Sequence, residues 1–122
     1  MILSETQVKN YLYLAGFRGA ALNAAVKIAQ CESGFNTLAW NRDGEDSRGL
    51  MQINVSPSAN PQYATLNLFD PVINTQVAYQ IYRSWGNNFK AWTCARLLNL
   101  ENPSNINGIG LAFIIGSLLY SL

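Results

Sequence analysis

A mainly α-helical fold, built as a helical bundle around a polar cleft with at most a small β-hairpin, is predicted by three observations. Apolar residues recur at helical spacing in three separate stretches, each with a start and a stop signal. The segment between the second and third stretches is rich in Asn, Asp and Gly, and only a short apolar–polar alternation interrupts it. The chain has 122 residues, 49% of them hydrophobic, which suits one domain with a modest core.

Ser4 and Gln7 have the spacing of a capping box, so a helix should open there and run to about Ala15, with Val8, Tyr11, Leu12 and Leu14 inward and Gly16 closing it. A second helix is expected from about Ala20 to Ser33. Its inner positions, Leu22, Ala25, Val26, Ile28 and Ala29, are rich in alanine and allow close packing. Gly34 ends it and leaves Cys31, Glu32 and Ser33 on its last turn. Residues 36–49 read as a loop. Residues 49–54 then alternate as a strand or short helix would, giving at most a hairpin over 38–54.

Asp70-Pro71 reads as a cap and first helical position. The helix it opens should extend to about residue 85, with Val72, Ile73, Val77, Ile81 and Tyr82 inward. Gly86-Asn87-Asn88 is a turn, and a short helix carrying Phe89, Trp92 and Cys94 should follow. The end of the chain differs. Residues 108–122 contain no charge and no amide, and divide the sequence into a domain over 1–100 and an apolar extension over 101–122. That run is shorter than the roughly 20 residues a membrane span needs. It is expected to pack as a buried tail, with insertion into a membrane or burial against another subunit as the alternatives.

Composition removes several kinds of chemistry. With no histidine, neither a Ser-His-Asp nor a Cys-His system can form, and zinc sites that use histidine are excluded. Two cysteines cannot make a four-thiolate site. A formal charge of +1 provides no footprint for nucleic acid, so nucleic-acid partners are not expected. The acids Asp43, Glu45 and Asp46 cluster beside Arg42 and Arg48, but their spacing does not fit a twelve-residue calcium loop. No metal and no cofactor are expected. Acid–base work falls to carboxylates, and charged residues are scarce: 12%, where about a quarter is usual.

Glu32 is the leading candidate. At the C-terminal end of an apolar helix, both the helix dipole and desolvation disfavour its charged form. Both effects raise its pKa, which is what a general acid at neutral pH requires. An ordinary exposed glutamate at a helix end is the plainer reading of the same position.

Ala29-Gln30-Cys31-Glu32-Ser33-Gly34-Phe35-Asn36, followed by Asp46-Ser47-Arg48-Gly49-Leu50-Met51-Gln52-Ile53-Asn54, resembles the soluble lytic transglycosylase and goose-type lysozyme superfamily. The first segment is similar to its Glu-Ser-Gly-Phe signature, and the second to its Ser-x-Gly-Leu-Met-Gln-Ile signature. Leu68-Phe69-Asp70-Pro71 with Asn74 and Ala78-Tyr79 is similar to the family's Asp-Pro-x-x-Asn helix. The resemblance covers roughly residues 5–98 and implies an α+β lysozyme-like fold. It also implies cleavage of the β-1,4 bond between N-acetylmuramic acid and N-acetylglucosamine in peptidoglycan glycan strands.

Position by position, the resemblance makes Glu32 the catalytic acid and Ser33 the residue that fixes the turn behind it. Ser47 and Gln52 become cleft-lining residues, and Met51 packs under the floor. The family's third motif, Ala-Tyr-Asn-Ala-Gly, is matched only by Ala91-Trp92-Thr93-Cys94-Ala95. Trp92 therefore stands where a tyrosine hydroxyl is usual, and Tyr79 or Tyr82 is expected to compensate. Tyr79 and Trp92 join the expected substrate-binding set. Trp40, Trp85, Tyr63, Tyr79 and Trp92 offer aromatic surface of the kind that stacks on sugars, and one or two of them should do so.

Two outcomes of cleavage stay open. In a lytic transglycosylase Glu32 acts as acid and then as base, and the product is a 1,6-anhydro sugar. An inverting lysozyme needs a second carboxylate about 6.5–9.5 Å away, for which Asp46, Asp43 and Glu45 are the candidates, Asp46 being nearest the second motif. A glycan-binding or structural tail component without turnover is the third reading. Cys31 and Cys94 adjoin the first and third motifs, which meet in such a fold, so they are expected either to form a disulfide or to stand as two buried thiols. No basic run leads into an apolar core at the N-terminus, so no signal peptide is expected. Delivery to the periplasm or cell wall would then fall to phage tail, virion or injection-machine proteins.

Overall fold

The computed structural model describes residues 1–103; the apolar run 108–122, with its expected packing, membrane or subunit role, lies outside the described residues. Helix α1 (Glu5–Ala15) starts on the expected capping box: the Ser4 hydroxyl accepts from the Gln7 amide at 3.1 Å, and the Gln7 side chain accepts from the Ser4 amide at 2.9 Å. Its buried side is narrower than expected. Val8 and Leu12 are buried, whereas Leu14 is 79% exposed, because it lies off the stripe that faces the second helix.

Helix α2 (Gly19–Ser33) buries all five of its expected inner residues, plus Ala24, and ends at Gly34 in the left-handed conformation. The expected hairpin is a three-stranded antiparallel sheet of two-residue strands in the order β1 (Trp40–Asn41), β2 (Ser47–Arg48) and β3 (Ile53–Asn54). Trp40 pairs with Arg48, and Ser47 with Asn54. A single 3₁₀ turn, Pro61–Tyr63, breaks the irregular stretch that follows.

Helix α3 (Pro71–Ser84) begins on Asp70, whose carboxylate accepts from the Val72 amide at 2.9 Å. Val72 itself is 46% exposed, against expectation. The inward positions of this first turn and a half are the polar Asn74 and Thr75. The last helix, α4 (Thr93–Leu97), is shorter than expected, and Phe89 and Trp92 precede it. Both are buried, and they join Phe17 and Tyr82 in an aromatic core where α1, α2 and α3 converge. Among the described residues no helix is long and apolar enough to cross a membrane.

Candidate active site

The end of α2, the turn at 49–52 and the start of α4 are pinned to one another by named bonds. Ser33 Oγ donates to the Leu50 carbonyl at 2.7 Å, so it does fix the turn behind Glu32. Trp92 Nε1 donates to the Met51 carbonyl at 2.8 Å. Asn74, fully buried, holds the same turn from below: its Oδ1 accepts from the Met51 amide at 2.8 Å, and its Nδ2 donates to the Arg48 and Leu68 carbonyls at 2.9 and 2.8 Å. Gly49 is required there. Its φ is +77°, and a Cβ would lie 2.0 Å from the Leu68 carbonyl oxygen. Cys31 and Cys94 form a disulfide that ties the end of α2 to α4.

These pins frame a pocket of about 420 Å³ lined by Glu32, Ser33, Trp40, Asn41, Glu45, Gln52 and Thr93. Glu32 is half-buried, and its Oε2 accepts from the Cys94 amide at 3.1 Å. Burial raises its pKa above the ordinary carboxylate value. The Cys94 amide opposes that shift, the charge of Glu45 adds to it, and the charge of Arg96 opposes it. Gln52 holds a left-handed backbone (φ +48°), and its Nε2 donates to the Ala39 and Gly49 carbonyls at 3.0 Å each. That conformation is uncommon outside glycine and fixes the side chain at the pocket wall.

The three acids of the loop take separate positions. Glu45 shares the pocket with Glu32; its Oε2 accepts from Asn41 Nδ2 at 3.0 Å, and its Oε1 from the Ser47 hydroxyl. Asp46, nearest the motif in sequence, is turned away. It takes Arg48 in a bidentate pair at 2.9 and 2.8 Å and accepts from Trp40 Nε1 at 2.8 Å. The Arg48 bond, then the Trp40 bond, hold its carboxyl below the ordinary range. Asp43 is exposed and does not line the pocket.

Among the expected substrate-binding residues, only Gln52 lines this pocket. Ser47 is buried and acts through Glu45, while Met51 is wholly buried and offers a bound ligand no side-chain surface. Trp92 is 4% exposed, borders a small neighbouring recess with Gln52 and Asn60, and spends its ring N–H on the turn. Tyr79 is not in the cleft. It packs edge-on against Phe17 and over Gly16, because its place on α3 faces the α1–α2 corner. Tyr82 is buried in the same aromatic core. Thr93 and Asn41, absent from the expected set, do line the pocket. Thr93 could have been found as the neighbour of Cys94, whereas Asn41 carried no sequence signal.

A larger depression of about 550 Å³ is lined by Glu5, Lys9, Val26, Lys27, Gln30 and Leu98, and its one carboxylate, Glu5, is exposed. Among the described residues, no three His, Cys, Asp or Glu side chains gather where they could hold a metal ion. A family model described as "Lysozyme like domain" matches residues 9–94. No curated protein and no solved structure matches the chain.

Proposed function

The chain belongs to the lysozyme-like domain family, and from that premise we propose that it is a peptidoglycan lytic transglycosylase with Glu32 as its acid and base. The observation that carries this reading is the Glu32 carboxyl itself: half-buried, raised in pKa, and held at the wall of a pocket by one amide. In the first step its proton passes to the glycosidic oxygen as the bond from the muramoyl anomeric carbon to that oxygen breaks. In the second, the resulting carboxylate takes the proton of the muramoyl 6-hydroxyl while that oxygen bonds to the anomeric carbon. Glu32 ends protonated, no water is consumed, and the product is a 1,6-anhydro sugar.

A second reading, inverting hydrolysis, is favoured by one specific feature. Glu45 faces the same pocket, and Asn41 and Ser47 hold it in place, as a carboxylate that activates water would have to be held. Digestion of purified sacculi tests both readings. Muropeptides with non-reducible anhydro ends support the transglycosylase, and reducible ends support hydrolysis through Glu45. Glu32→Gln should lower release at least about 100-fold in either case, because a general acid contributes on that scale. Undiminished release by that variant would overturn both.

A further inference from the structure

Trp40, which lines the pocket that holds Glu32, and Arg42, which lies over its ring outside the lining, form a pair of side chains that the cleavage chemistry leaves unused. Trp40 is 49% exposed, a large fraction for an indole, and it lines the pocket. Its ring is nonetheless fixed. Nε1 donates to Asp46 at 2.8 Å, and Phe69 meets it at an angle with ring centres 5.5 Å apart. The Arg42 guanidinium lies over the indole, its central carbon 4.4 Å from the ring centre, and the Arg48 guanidinium lies farther off, at 5.5 Å. Cation–π attraction at that distance holds the Arg42 guanidinium on the ring, and its N–H groups make no hydrogen bond among the described residues.

Arg42 differs from its neighbour in what it is bound to. Arg48 is committed to Asp46 and to the Ala64 carbonyl, and among the described residues Asp46–Arg48 is the only ion pair. Arg42 makes no hydrogen bond and no ion pair among the described residues, although three acids lie within four positions of it. An exposed aromatic plane joined to an unpaired planar cation suits a ligand that is part saccharide ring and part carboxylate. The saccharide's apolar face would rest on the part of the indole that stays exposed beside the guanidinium, and the carboxylate would pair with the guanidinium N–H groups.

Resting on the function proposed above, we propose that Trp40 and Arg42 form a subsite that selects amino sugars bearing a carboxylate substituent over neutral ones. In a peptidoglycan strand the carboxylate belongs either to the lactyl group of the muramoyl residue or to the peptide attached to it. The subsite sets which strands enter the cleft and takes no part in bond breaking.

Binding to full-length Glu32→Gln protein, measured by calorimetry, tests this. The probes are a disaccharide-tetrapeptide muropeptide, the same muropeptide with its carboxylates amidated, and the peptide-free disaccharide with its lactyl carboxylate. The acid muropeptide should bind about 10-fold more tightly than the amidated one, the size expected of one charge-assisted contact. Adding Arg42→Gln should erase that difference. Adding Trp40→Ala should weaken both muropeptides together by a similar factor. An advantage shared by the peptide-free acid assigns the carboxylate to the lactyl group, and one confined to the muropeptide assigns it to the peptide; either supports the subsite. An Arg42→Gln protein that still prefers the acid muropeptide overturns it. Sacculus cleavage by the unmodified chain, measured in parallel, separates the failures. Cleavage with Arg42→Gln still discriminating removes only the subsite, whereas neither cleavage nor binding removes the function and the subsite together.

Discussion

Glu32 and Glu45 are coupled through the pocket, and the coupling has a sign. Burial raises the Glu32 pKa and the Glu45 charge raises it further. Catalysis by a protonated Glu32 is present at pH values below that raised pKa and is lost as pH rises through it. The alkaline limb of the rate profile should therefore lie above the ordinary carboxylate range. Glu45→Gln removes the adjacent charge and should move that limb to lower pH while anhydro product still forms. The check is a kcat/KM profile on soluble glycan strands for both proteins. Loss of all turnover in Glu45→Gln would assign the water-activating role to Glu45, and an unmoved limb would show that the two carboxyls do not sense each other. Sequence order misleads at this position. Asp46 sits beside the motif, yet it pairs with Arg48 two residues on, while Glu45 shares its bonds with Ser47 and faces Glu32. Residues two apart in an extended segment share a side, so a one-residue difference decides which acid reaches the pocket.

At the level of elements, the turn at 49–52 depends on α3 more than on its own strands. Two-residue strands supply little pairing, and Asn74 replaces what they lack by meeting one amide and two carbonyls across the chain. Asn74→Ala would leave the Met51 amide and the Leu68 carbonyl unpaired in a dry interior, and the Arg48 carbonyl unpaired at its part-buried edge. At roughly 1–3 kcal/mol for each of the two buried groups, the substitution should cost about 2–6 kcal/mol in a urea titration. A loss below about 1 kcal/mol would mean that water or a rearranged turn replaces the amide. Helices α1, α2 and α3 were legible because their signals are local: a capping box, a closing glycine, an Asp-Pro start and apolar stripes. The roles of Asn74 and Trp92 were not. Each acts on a segment more than twenty residues away, and no periodicity records which distant carbonyl a side chain will meet. Trp92 in the tyrosine place has a physical account on the same grounds, since its ring N–H joins α4 to the Met51 carbonyl.

Across the whole molecule, one covalent link joins the acid to the group that holds it. Cys31 precedes Glu32, Cys94 supplies the amide that Glu32 accepts, and the two cysteines are bonded to each other over a separation of 63 residues. Closing a loop of that length stabilises the fold by about 4 kcal/mol in the chain-entropy account. The link also does something local. Helix α4 has five residues, too few to hold its own first turn, so the position of the Cys94 amide depends on the bridge and on Trp92. That amide lowers the Glu32 pKa against the effect of burial. Cys31→Ala/Cys94→Ala should therefore melt at lower temperature, and in the molecules that remain folded its alkaline activity limb should move to higher pH. This is opposite in direction to the shift expected of Glu45→Gln. Thermal melts paired with pH–rate profiles at a temperature where both proteins are folded make the comparison. A variant that melts lower but keeps the original limb would reduce the bridge to a clamp on the fold, with no part in setting the acid.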